Sequence, residues 1–260
     1  MKNKLFFAAI FALVATFAGA EDLFNGHDLT GWYKYLRGQG RNCDTNSVIS
    51  VKNGVIHITG TEWGALVTEK EYSNYRLKLE YRWLGTRFGP KLNQAMDSGI
   101  LFHSIGPDGG YGKCWLLSHE VNLIQGATGD FWTVGRRDRP DIALTVEVDD
   151  MRQKCSHGEH YIWKRGGRRV TLTGNNRLCR YDIARDWQDA PSDHPAVNER
   201  PFGEWNEVEL VCDGEKVEVF FNGKLVNAAV KAQPSRGKIQ LQSEGCGIEF
   251  RNITLTSLEK

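Results

Sequence analysis

Apolar and polar residues alternate with period two along most of the chain. The stretch NYRLKLEYRW (74–83) is the clearest case: Tyr75, Leu77, Leu79, Tyr81 and Trp83 fall on one side, and Arg76, Lys78, Glu80 and Arg82 on the other. That period predicts a strand buried on one face only. WNEVELVCDGEKVEVFFNGKLV (205–226) predicts strands around Asp213-Gly214 and a second tight turn at Asn222-Gly223. Such pairs suit the left-handed backbone of two-residue hairpin turns. GKIQLQSEGCGIEFRNITLTSL (237–258) predicts two strands around Gly245 and Gly247, and GVIHITG (54–60) and DSGILFHS (97–104) predict others. Helical periodicity is missing from every long stretch. Short strands at regular spacing imply an all-β sandwich in one domain. Residues 84–96 and 182–203 are expected to be long surface loops.

WLLSHEVNLIQGATGDFW (115–132) alternates too, but with a difference. Trp115, Leu117, His119, Val121 and Leu123 share one face; Ser118, Glu120 and Asn122 share the other. By parity Trp115 belongs with the core. A carboxylate and an amide then stand side by side in mid-strand, ahead of a glycine-bracketed loop that ends in Asp130, Phe131 and Trp132.

Composition narrows the classes. The 260 residues carry a net charge of +1, with both signs mixed throughout, so no basic block points to nucleic acid. Residues 1–20 stand apart: Lys2 and Lys4, an apolar run from Leu5 to Phe17, then Ala18-Gly19-Ala20. This is the pattern of a signal peptide, with cleavage expected before Glu21 and export to the periplasm or beyond. Residues 21–260 then form the single domain. Six cysteines in an exported chain favour disulfides. Cys155 with Cys179 is the favoured pair, because two strand-like stretches lie between them; such a bridge stabilises by about 3 kcal/mol.

Several blocks together resemble the 3-keto-disaccharide hydrolase domain family, the 3-keto-glucoside 1,2-lyase/3-keto-2-hydroxy-glucal hydratases. They are LFNGHDLTGW (23–32), DSGILFH (97–103), EVNLIQGATGDFW (120–132), EWNEVEL (204–210), VFFNGKLV (219–226) and IQLQSEGCGIEFRNITL (239–255), in that order. The resemblance spans nearly the whole chain after residue 20. It implies a concanavalin-like jelly roll, two curved antiparallel sheets with a sugar groove on the concave face. It also implies a chemistry. A separate oxidoreductase first turns the sugar's C3 hydroxyl into a ketone; a base then removes the acidified C2 proton, and the glycosidic oxygen leaves C1.

On that frame Glu120 and Asn122 point into the groove while Val121 and Leu123 enter the core. The sandwich β-glucanases carry E-x-D-x-x-E on one strand; here the same spacing reads Glu120, Asn122, Gln125. Two of those three are amides, which neither attack nor donate a proton at neutral pH, so double displacement is disfavoured. Glu120 and His103 are the candidates for proton transfer. His103 has two other readings, orienting the substrate or serving as a structural imidazole. Asn122 and Gln125 are candidate sugar-hydroxyl partners. Asp130 either ligates a divalent cation that would stabilise an enolate, bonds a sugar hydroxyl, or holds the turn after Gly129. Trp132 either stacks on a pyranose face or packs in the core. Glu244 offers a second carboxylate. Two other functions remain open, a carbohydrate-binding module without catalysis and a conventional glycosidase using Glu120 and Glu244.

Overall fold

The computed structural model describes residues 19–155, 158–180 and 198–258, with the backbone alone for 152–155. Strands dominate. β1 (Ala20–Asp22), β2 (Trp32–Leu36), β3 (Gly40–Arg41), β4 (Ile49–Lys52), β5 (Val55–Ile58), β6 (Gly64–Thr68) and β7 (Tyr75–Arg87) come first, followed by a 3₁₀ turn at Gly89–Lys91. β8 (Asp97–Ile105), β9 (Leu117–Ile124), β10 (Phe131–Val134), β11 (Ala143–Cys155), β12 (Gly158–Trp163), β13 (Arg168–Thr173) and β14 (Asn176–Cys179) make up the middle. β15 (Asn206–Asp213), β16 (Lys216–Phe221), β17 (Lys224–Gln233), β18 (Lys238–Ser243) and β19 (Cys246–Ser257) complete the order.

Pairing sorts them into two layers. One runs β3-β2-β6-β18-β8-β9-β10-β14; the other runs from β11 through β17, β16, β15 and β7 to β19, with β5 and β4 beyond. Hydrogen bonding continues from β14 to β12 as a parallel pair, so one layer curls into the next. The remaining strand pairs are antiparallel, and the whole is a jelly-roll sandwich of the expected kind.

The alternation has its physical cause in this arrangement. Tyr75, Leu77, Leu79, Tyr81 and Trp83 of β7 are buried, and they share one core with Phe102, Val121 and Phe131 of the other layer. The charged residues between them face outward and pair across strands: Lys78 with Glu207 at 3.2 Å, Arg82 with Glu249 at 2.7 Å, and Glu80 with Arg251 at 2.6 Å. The β16–β17 hairpin turns at Asn222 and Gly223, both at positive φ (45° and 78°), the backbone such turns demand.

Two expectations need adjustment, and two others fall on residues outside those described. Residues 84–96 are not one loop, because β7 continues to Arg87 and the 3₁₀ turn follows. The 182–203 loop lies mostly outside the described residues, as does the leader up to residue 18. The disulfide expectation fails for Cys43, Cys114, Cys212 and Cys246, which carry free thiols. Cys114 accepts a hydrogen bond from Arg37 Nε (3.0 Å), and Cys212 stands opposite Tyr75 across the β15–β7 ladder. The Cys155 half of the favoured pair lies outside the described side chains. Among the described residues no helix is long and apolar enough to cross a membrane.

Candidate active site

A cavity of about 510 Å³ opens on the outer face of the first layer. Strand alternation builds its floor. On β9 Val121 and Leu123 enter the core, so Glu120 and Asn122 face the opposite way and line the cavity. Glu120 stands in register with Leu101 of β8 and Trp132 of β10. Beyond β8, Gln242 of β18 also lines it.

Gly99, on β8, lets Glu120 and Gln242 come close. A Cβ there would lie 2.5 Å from Glu120 Oε1 and 2.6 Å from Gln242 Oε1, distances at which something must move. A second group, Lys91, Asp97 and Glu244, adjoins the floor. Lys91 Nζ donates to Asp97 Oδ2 and pairs with Glu244 Oε1 at 3.2 Å. A third group is aromatic. Trp63 and Trp115 lie 5.6 Å apart, Tyr111 stacks on Trp115 at 6.3 Å, and Trp115 Nε1 donates to the Gly64 carbonyl at 2.8 Å.

Hydrogen-bond accounting marks the lining as unfinished. Asp97 Oδ1, Asn122 Oδ1 and Gln242 Oε1 are buried acceptors with no donor among the described residues. The Glu120 carboxyl, 6% exposed, is not engaged by any hydrogen bond or ion pair among the described residues. Leaving such groups unmade costs about 1–3 kcal/mol each, so their convergence on one cavity fits a ligand rich in hydroxyl donors.

The electrostatics follow from burial. Glu120 is held well above the usual carboxylate range, first by burial and then by the nearby Glu244 and Asp97 charges. Glu244 is pushed up to about 8 by burial and by Asp97. Burial opposes the Lys91 charge, but Asp97 and Glu244 outweigh it and hold the ammonium protonated. Lys91 and the more distant Arg177 do not offset burial, so the Glu120–Glu244 pair retains a proton near neutral pH.

Four of the expected residues, Glu120, Asn122, Trp132 and Glu244, therefore meet in one cavity. The others do not. Gln125 accepts from Arg87 Nη2 at 3.2 Å and lines a separate cleft with Glu199 and Phe202. Asp130 is 1% exposed and already committed: Arg177 Nε donates to it at 2.6 Å and the Arg180 amide at 2.8 Å. It positions Arg177, which lines the cavity, rather than meeting a sugar or a cation itself. Among the described residues no group of three or more His, Cys, Asp or Glu side chains is arranged to hold a metal ion.

His103 is the clearest departure. Its φ of 48° accompanies a break in the β8–β9 register between Phe102 and Ile105. That bulge turns two successive side chains inward. His103 packs against Phe102 at 5.1 Å and Tyr75 at 5.7 Å, is fully buried, and does not line the cavity. Burial lowers it to about 4 against the opposing hydrogen bond with the Pro234 carbonyl, so the ring is neutral at pH 7. Trp115 is buried as parity suggested, but in a second cluster with Cys114, Leu116 and Val134 on the cavity side of the sheet, and its edge lines the cavity.

Sequence reasoning missed Asp97, Lys91, Gln242, Trp63, Tyr111 and Arg177. Gln242 had a signal, since it sits two residues before Glu244. Lys91 had none, lying in an apparent loop.

Jelly-roll sandwiches with an acceptor-rich, acid-lined hollow on one sheet form a class of carbohydrate-active proteins, and the comparisons agree. Residues 19–256 match the model of the 3-keto-alpha-glucoside-1,2-lyase-like domain, and the chain belongs to that family. A Parabacteroides distasonis protein named as a candidate glycosyl hydrolase superposes with a TM-score of 0.53 at 21% identity, over 96% of this chain and 99% of that one. A second from the same organism, similarly named, gives 0.51 at 17% identity, over 92% and 100%. Identities this low speak to the fold alone. No curated protein matches.

Proposed function

We propose that the protein cleaves 3-keto-glycosides by C2 proton abstraction and β-elimination. The observation that carries the reading is the Glu120 carboxyl, without a partner among the described residues, facing a cavity of buried acceptors that likewise lack donors there. Asp97 Oδ1, Asn122 Oδ1 and Gln242 Oε1 would accept from sugar hydroxyls, and the half-buried Trp132 lines the same cavity. Glu120, in its ionised form, takes the C2 proton. The C2–H electrons form C2=C3 and the C3 oxygen becomes an enolate. Collapse of the enolate expels the C1 oxygen, which leaves as an alcohol once protonated from the acidic cluster. Water then adds to the resulting enone and restores a 3-keto sugar. A group matched to its task in this way contributes about 10²–10⁴-fold.

The substrate must arrive already oxidised, so a separate sugar C3 oxidoreductase acts first. Family membership supports the chemistry, and the leader-like residues 1–20 support export to the periplasm or beyond. N-terminal sequencing of the cell-exported protein tests the latter, with Glu21 expected first.

Incubation with a 3-keto-glucoside and with its unoxidised parent tests the function. Turnover of the ketone alone is expected. Cleavage of the parent would instead indicate a conventional glycosidase, and binding without turnover a carbohydrate-binding module. E120Q should reduce kcat for the ketone by at least ~100-fold; a near-normal rate would remove Glu120 from its role.

A further inference from the structure

The reaction above develops negative charge on the sugar's C3 oxygen, and three cations, Arg37, Lys91 and Arg177, line the cavity. Arg177 is held by Asp130, and Arg37 donates to Cys114 and the Gly112 carbonyl, so Lys91 is the one best placed to meet that charge. Lys91 ends the Gly89–Lys91 turn and is 8% exposed. Its ammonium carries three N–H donors and no acceptor. Asp97 Oδ2 takes one and Glu244 Oε1 is placed for a second. The third is left over, in a side chain that lines the same cavity as Glu120.

The position is built. The Phe88 amide donates to the Gly245 carbonyl at 2.7 Å, tying the turn to the β18–β19 connection. Gly245 has φ +79°, and a Cβ there would lie 2.9 Å from Lys91 Cγ, so the two chains approach closely at the root of this side chain. The Trp63 ring, 6.0 Å from Nζ, closes another side. Two carboxyl groups, an aromatic face and a tethered backbone thus hold one cation still. A cation kept immobile beside a developing oxyanion stabilises it without reorganising when the charge appears.

We propose that Lys91 is a catalytic residue, donating its remaining N–H to the C3 carbonyl oxygen of the substrate and to the enolate formed from it. The assignment rests on the 3-keto-glycoside reading. It also gives the site a reason to prefer the ketone, because the C3 hydroxyl of an unoxidised sugar develops no such charge.

The test separates the two claims. If the wild-type protein does not turn over the ketone, the reading of the function falls first. Where it does, K91M should lower kcat by ~10²–10³-fold, the loss typical of one oxyanion donor, with a smaller rise in KM from the lost bond to the ground-state carbonyl. A K91M protein that melts like wild type and keeps its kcat within about threefold overturns the assignment. Infrared difference spectra give a second readout that leaves Lys91 intact. The ketone bound to E120Q should show its carbonyl stretch below the value in water, and E120Q/K91M should return it towards that value. An unshifted band in E120Q overturns the proposal even where K91M does not fold.

Discussion

Glu120 is a carboxyl placed where its ionised form is disfavoured: 6% exposed, near two other carboxyls and without an ion-pair partner among the described residues. Its folded pKa is raised, so the proton is bound more tightly in the native state than in the unfolded chain. Stability from this source is complete below the unfolded value and is lost as pH rises through the folded one. Gln imitates the protonated form and does not titrate. E120Q should therefore be at least as stable as wild type, with an advantage that grows from pH 5 to pH 9 in denaturant titrations. A constant or shrinking difference would show that Glu120 is ionised in the resting protein. The same shift places the acid limb of kcat/KM above the ordinary carboxylate range. Position 120 was legible from alternation alone. Its environment was not, because Asp97 comes from the start of β8 and Glu244 from the β18–β19 connection, both distant in sequence.

Between neighbouring strands the decisive residue is Gly99. A central strand with a side chain at that point would push Glu120 and Gln242 apart, since the added Cβ falls within 2.6 Å of both. G99A should fold, because both obstructing atoms are ends of side chains, yet lose about tenfold or more in kcat/KM through misplacement of the reacting group. Unchanged kinetics would mean that the spacing across β8 is not used. The bulge at His103 teaches the opposite lesson. The alternation of DSGILFH is real up to Phe102, and one left-handed residue then reverses the parity. H103A should keep kcat within a few-fold while losing roughly 2–4 kcal/mol of stability, as a buried ring is replaced by a void. A collapse of kcat without loss of stability would return His103 to the site.

For the molecule as a whole the buried titratable groups pull in two directions. His103 and His119 are depressed to about 4 and about 3 by burial, so they stay neutral in the fold, and their contribution is lost as pH falls below 6.5 towards those values. Glu120 and Glu244 are raised, and their contribution is lost as pH climbs from about 4.5 through their folded values, about 8 for Glu244. Thermal stability should peak between these limbs. E120Q combined with E244Q should flatten the alkaline limb and leave the acid limb in place; a scan in which both limbs persist unchanged would refute this origin. The sequence by itself determined the sandwich class, the buried face of β7, the hairpin turn at Asn222-Gly223 and the cavity-facing side of β9. Those are local matters, governed by the two-residue period of a strand and the backbone needs of a turn. Only the tertiary structure decided which strands lie beside β9, that Asp130 is spent on Arg177, that His103 turns inward, and that Lys91 from an apparent loop reaches the carboxyl cluster. Each depends on contacts between residues far apart along the chain, and a periodic pattern carries no information about which distant segment will become a neighbour.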